Sequence, residues 1–116
     1  SVESAKKNAA DTVSSVFRLA GAEVEQSDGY PGWAPDPNSH LLKAAKESYE
    51  RLFGKEPVVR AIHAGLECGL FLKKYPRLEM VSFGPTLRGV HSPDERLEIP
   101  TVDKFWKLLL EVVSNV

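Results

Sequence analysis

Residues 58–83 read VVRAIHAGLECGLFLKKYPRLEMVSF, and the fold turns on how that run divides. Val58 to His63 is largely apolar and opens after Pro57, while Leu78 to Phe83 is polar only at Glu79 and Ser82. Both lengths and compositions predict buried strands. Between them, Gly65 to Tyr75 sets Leu66, Leu70 and Phe71 at helical steps, and Pro76 bars continuation. Strand, helix and strand in so short a run sit near the minimum for a parallel crossover, which is right-handed almost without exception.

That topology predicts a common location for two glycine-bearing turns. Ile62-His63-Ala64-Gly65-Leu66-Glu67-Cys68-Gly69 leaves the first strand, and Gly84-Pro85-Thr86-Leu87-Arg88-Gly89-Val90-His91-Ser92-Pro93-Asp94-Glu95 leaves the second. Neighbouring parallel strands lie about 5 Å apart, and α/β proteins place ligands beyond the carboxyl ends of such strands. The helix opening near Gly65 would turn its free N–H groups toward that edge, favouring an anion such as a substrate carboxylate. Gly65 and Gly69 would let a ligand approach the backbone closely. A glycine turn is nonetheless most often only a turn.

Outward from this unit, Val2, Ala5, Ala9, Val13, Val16, Phe17 and Ala20 recur at three- and four-residue steps and predict a first helix stopped by Gly21. Ala22 to Gln26 alternates as a half-buried strand would, with Ala22, Val24 and Gln26 on one face. Ser27 to Pro37 carries two glycines and three prolines, the composition of a fixed, irregular connection, and a lobe boundary is placed there. Asn38 or Ser39 is expected to cap a second helix with Leu41, Leu42, Ala45, Tyr49, Leu52 and Phe53 inward and Gly54 at its end. Thr101 is expected to cap a last helix turned inward through Val102, Phe105, Trp106, Leu109, Val112, Val113 and Val116.

Composition narrows the function classes. An apolar share of 42% in 116 residues supports one small core. Fifteen basic and sixteen acidic residues leave a net charge of −1, so nothing in the balance implies a nucleic-acid or membrane partner. Cys68 is the single cysteine, which excludes an internal disulfide framework and fits a reducing, cytoplasmic setting. No apolar run approaches the ~20 residues of a bilayer span, and the N-terminus lacks the pattern of a secretory signal. The chain begins at Ser1 without methionine, and a trimmed fragment is expected.

His91 is the first candidate ligand. A neutral imidazole suits zinc, and Gly89 and Pro93 would stiffen its loop, but one histidine is not a metal site. From spacing alone, a surface-loop histidine with a capping Ser92 and a solvated Asp94-Glu95 pair is the favoured reading. Cys68 with His63 or His91 has the ingredients of a thiol nucleophile and base, although an isolated cysteine is more often inert packing. A third class is a non-catalytic dimerisation or interaction module, with the first helix and the Ala22 to Gln26 strand forming an edge for self-association.

The two turns resemble those of the Xaa-His dipeptidases, a branch of the M20 dinuclear zinc peptidases. The similarity runs over essentially the whole chain and is most specific at His63 to Gly69 and Gly84 to Glu95. It implies a C-terminal fragment of a metallopeptidase, a partial α/β sandwich built on the parallel strand-helix-strand unit with flanking helices. Residues 1–30 would be the end of a lid lobe of helix and strand, and residues 31–116 the last segment of the catalytic lobe.

In the Gly-Val-His-Ser-Pro-Asp-Glu context, the resemblance makes His91 the last protein ligand of a pair of zinc or other divalent ions, with Glu95 beside it orienting the ligand or tying down the loop. Gly65, Leu66 and Glu67 correspond to a substrate-pocket turn, with His63 adjacent. Relatives commonly carry Gly-Thr-Asp there, and Leu66 and Glu67 depart from it. No His-x-Asp motif and no adjacent Glu-Glu pair occurs, so no catalytic base is expected in this chain. It would be inactive alone, with the missing lid and catalytic segments as partners, a dipeptide as substrate, and a homodimer as a further expectation.

Overall fold

The computed structural model describes residues 3–27, 29–62 and 67–116. Its elements run α1 (Glu3–Leu19), α2 (His40–Phe53), α3 (Cys68–Lys74), β1 (Leu87–Arg88), β2 (Arg96–Leu97) and α4 (Pro100–Val113). They fall into two compact units, Ser1–Asp36 with Arg60–Leu78, and Pro37–Val59 with Glu79–Val116.

In the first unit, α1 ends where expected, with Gly21 in the left-handed region at φ 81°. Carbonyls of the last turn are taken up by the N–H groups of Gly21 and Ala22. Among the described residues, the Ala22 to Gln26 strand is not formed. A strand needs a neighbouring backbone, and this segment is instead held to α1 by side chains. Gln26 Nε2 donates to Ser14 Oγ at 2.8 Å and to Asp11 Oδ1 at 3.2 Å, and Arg18 donates to the Val24 carbonyl. Lys7 and then Gln26, both hydrogen-bonded to it, hold the Asp11 carboxyl below its usual range. Ser14 is buried through this network, whereas Val13, Val16 and Phe17 on the predicted apolar stripe remain 55%, 62% and 55% exposed.

Helix α3 begins at Cys68, after a turn in which the Glu67 carbonyl accepts from Leu70 and Phe71. Lys73 and Lys74 close it, a placement the helix dipole favours. Gly69 is buried, and a Cβ there would stand 2.3 Å from the Pro31 carbonyl oxygen. The close backbone approach expected at Gly69 is therefore made by the chain's own Pro31.

The second unit holds the core. Ser39 caps α2, its Oγ accepting from the Leu42 N–H at 3.2 Å, and Gly54 ends it at φ 65°. Both choices follow the sequence. Glu79 adds a cap from forty residues away in sequence: its Oε2 accepts from the Ser39 hydroxyl at 2.9 Å and the Leu41 N–H at 2.7 Å. These bonds, Leu41 first, hold the Glu79 carboxyl below its usual range. The positive end of α2 is thus already occupied by a carboxylate of the chain.

Ala45, Leu108 and Val112 form the buried cluster, with Leu41, Tyr49, Phe53, Val81 and Phe83 packed against it. The Tyr49 and Phe53 rings meet edge-on at 4.7 Å, and Phe83 lies 5.8 Å from Phe105. Lys104 covers Tyr49 and Phe53 and donates to the Tyr49 hydroxyl at 2.8 Å, while Arg51 pairs with Glu111 at 3.1 Å across the two helices. The inward face of α4 runs through Leu108, which the sequence pattern passes over. Trp106, Val113 and Val116 are 54%, 63% and 65% exposed.

Helix α4 opens at Pro100, not at a Thr101 cap. Proline's preset φ suits the first helical position, and the Thr101 hydroxyl instead donates to the Glu98 carbonyl and accepts from the Thr86 N–H.

The described sheet is one antiparallel pair, β1 with β2, in the register Leu87 with Leu97 and Arg88 with Arg96. Residues 58–62 and 78–83 carry no ladder among the described residues, so the parallel pairing is not formed there as hydrogen-bonded strands. Part of the strand pattern survives: the alternate residues Val81 and Phe83 turn to the core, and Ser82 turns out. What the segment lacks is a neighbouring strand to bond.

Candidate functional site

The His91 loop is a seven-residue connection, 89–95, between β1 and β2. Its base is fixed from both sides. Glu98 donates its N–H to the Thr86 carbonyl at 2.9 Å, continuing the ladder, and Arg88 Nε meets Glu98 Oε1 at 2.6 Å. The Thr86 N–H bonded to Thr101 ties the hairpin to the first turn of α4.

Ser92 organises the loop. Its N–H and hydroxyl both donate to the Gly89 carbonyl, at 3.0 and 2.7 Å, while its Oγ accepts from the Asp94 N–H at 3.2 Å and its carbonyl from the Glu95 N–H at 3.1 Å. Gly89 has φ 60°, and a Cβ there would lie 3.1 Å from both the Asp94 carbonyl oxygen and Ser92 Oγ.

His91 itself has φ 63°, the one positive value at a non-glycine among the described residues. This conformation costs an L-residue roughly 1–2 kcal/mol. It is met by a charge-assisted hydrogen bond from the His91 N–H to Glu95 Oε2 at 2.9 Å. Such a bond contributes about 1.5–3 kcal/mol when sheltered and less on this exposed loop. Glu95 therefore acts on the backbone of residue 91. The imidazole stands exposed at the end of a braced loop.

Among the described residues no three of histidine, cysteine, aspartate and glutamate converge to hold a metal ion. Zinc takes three or four protein ligands, so among the described residues His91 does not by itself make a metal site.

Of the substrate-pocket candidates, His63, Gly65 and Leu66 lie outside the described residues, and the expected meeting of residues 65–69 with His91 rests on them. Glu67 is exposed in the turn before α3. Cys68 is half-buried at the first position of α3. A shallow hollow of about 490 Å³ beside α1 is lined by Glu3, Lys6, Lys7 and Gln26 among others. It contains none of the candidate metal-ligand or substrate-pocket residues, and both its lysines are engaged, Lys6 with Glu3 and the Tyr30 carbonyl, Lys7 with Asp11.

Sequence reasoning missed Glu79 and the Gly69 to Pro31 contact, both of which join residues far apart in the chain. The role of Ser92 had a local signal, since serine in Ser-Pro-Asp readily bonds nearby backbone.

Comparison with known proteins covers nearly the whole chain. The pattern of Peptidase family M20/M25/M40 matches residues 3–115. Cytosol non-specific dipeptidase of Escherichia coli (strain K12) is 47% identical over 115 residues, which are 99% of this chain and 24% of that protein. The crystal structure of aminoacylhistidine dipeptidase from Vibrio alginolyticus superposes with a TM-score of 0.80 at 43% identity, again over 99% of this chain and 24% of that one. The chain thus spans about a quarter of the length of these relatives. A superposition of this quality at this identity bears out the partial α/β fold expected from the sequence.

Proposed function

Because the chain belongs to Peptidase family M20/M25/M40, we propose that it forms part of a metal-dependent dipeptidase hydrolysing Xaa-His dipeptides. It supplies one metal ligand and part of the substrate pocket, and it is inactive alone. The observation that carries this reading is the family match over residues 3–115, which includes the braced His91 loop. Residues 1–30 are assigned to a lid lobe and 31–116 to the catalytic lobe. The partners are the remaining lid and catalytic segments, with a homodimer as the assembly and the cytoplasm as the setting.

When bound, a pair of zinc ions or other divalent metals supplies an activated water and stabilises the charge that develops on the peptide carbonyl. His91 contributes a neutral imidazole nitrogen from outside the sheet pairing, so its ring can meet ligands from another segment without disturbing the hairpin. Glu95 and Ser92 keep the loop from rearranging around it. Gly65, Leu66 and Glu67, with His63 adjacent, form the pocket wall that receives the dipeptide. The general base comes from a partner segment.

The test replaces the matching quarter of the E. coli relative with this chain and follows hydrolysis of an Xaa-His dipeptide with and without a chelator. Metal-dependent turnover is expected. His91→Ala should lower it by more than the roughly 10–100-fold typical of groups outside the ligand shell, with folding intact. Unchanged turnover in that variant removes His91 from the site.

A further inference from the structure

We infer that Glu95 is a positioning residue that sets the direction of the His91 imidazole by holding the backbone of residue 91 left-handed. This rests on the reading of His91 as a ligand and specifies how the chain presents it. A carboxylate near a ligating histidine ordinarily accepts from the second ring nitrogen. Here Glu95 Oε2 accepts instead from the main-chain N–H of His91 at 2.9 Å. Among the described residues, the ring donates no bond to Glu95.

The other links of the loop run among Gly89, Ser92, Asp94 and Glu95. The His91 N–H belongs to no ladder bond, so Glu95 is its partner within the chain. Without that partner, the N–H would turn to water and φ would relax to the negative values that L-residues prefer. The Cα–Cβ bond would then swing, and the ring would leave the hairpin along another line.

Side-chain reach sharpens the prediction. Glutamine at 95 keeps an oxygen at the same distance from the backbone, whereas alanine removes it and aspartate shortens it by one methylene.

The experiment uses the isotopically labelled chain in solution, with Zn²⁺ as the metal probe. Wild type and Glu95→Gln should show the strong amide-to-Hα Overhauser contact at residue 91 that positive φ produces. Glu95→Ala and Glu95→Asp should lose it, while the amides of the α2 and α4 core stay unshifted. In the chimera with the E. coli relative, where the partner segments supply the other ligands, Glu95→Ala should need about 10-fold more Zn²⁺ than wild type for the same shift of the His91 ring signals.

A Glu95→Ala chain that retains the residue-91 contact overturns the inference, whatever the metal does. Loss of the contact in Glu95→Ala, restored by glutamine, upholds it even if Zn²⁺ leaves the His91 ring untouched, an outcome that counts against the ligand reading alone.

Discussion

Gly69→Ala tests how the first unit is built. A Cβ on residue 69 would stand 2.3 Å from the Pro31 carbonyl oxygen, 3.2 Å from the Pro31 carbonyl carbon and 3.6 Å from the Gly32 carbonyl carbon. All three are backbone atoms, so no flexible side chain can move aside. Ordinary carbon contacts lie near 3.5 Å, and α3 must move by roughly 1 Å from residues 31–32 to reach such a separation. Overpacking of this kind costs about 1–3 kcal/mol.

Alanine returns part of that cost through helix propensity, at most about 1 kcal/mol in a helix interior and less at the second position of this seven-residue helix. The net expectation is about 1–2 kcal/mol of destabilisation, a factor of roughly 5–30 in the local opening equilibrium. Hydrogen exchange reads it directly. The α3 amides and the Gly32 N–H, which donates to Glu3, should exchange faster by that factor, while α2 and α4 are unaffected. Unchanged or slower exchange in α3 would refute the contact and return Gly69 to the role of a position kept open for a ligand.

Two further outcomes concern the start of α2. Ser39→Ala removes both the cap on Leu42 and the hydroxyl bound to Glu79, and denaturant unfolding of the second unit should report a loss of about 0.5–2 kcal/mol. Glu79 titrates below its usual range in the folded chain because the Leu41 N–H and then the Ser39 hydroxyl bind its charged form. Its contribution is therefore complete above the ordinary glutamate pKa of about 4.3 and is lost as the pH falls through the lowered folded value. Thermal melts taken downward from neutral pH should show that decline, and Glu79→Gln should flatten it; an identical pH profile in the variant would exclude Glu79 as its source.

The sequence by itself determined the helices and most of their ends. Gly21, Ser39 and Gly54 act on backbone groups within a few residues of themselves, so their roles can be read in a local window. The same holds for the Gly89 to Glu95 loop, whose bonds all close within seven residues and whose histidine stood out by composition. Tertiary structure decided what local windows cannot contain. Leu78 to Phe83 has a strand's composition, yet a ladder requires a second backbone at bonding distance, and among the described residues this segment meets helices instead. The face that α4 buries was set by where α2 lies, because leucines at 108, 109 and 110 offer several faces to choose from. Glu79 at the head of α2 and Pro31 against Gly69 are contacts across some forty residues, fixed by the path of the chain and invisible to any period or cap.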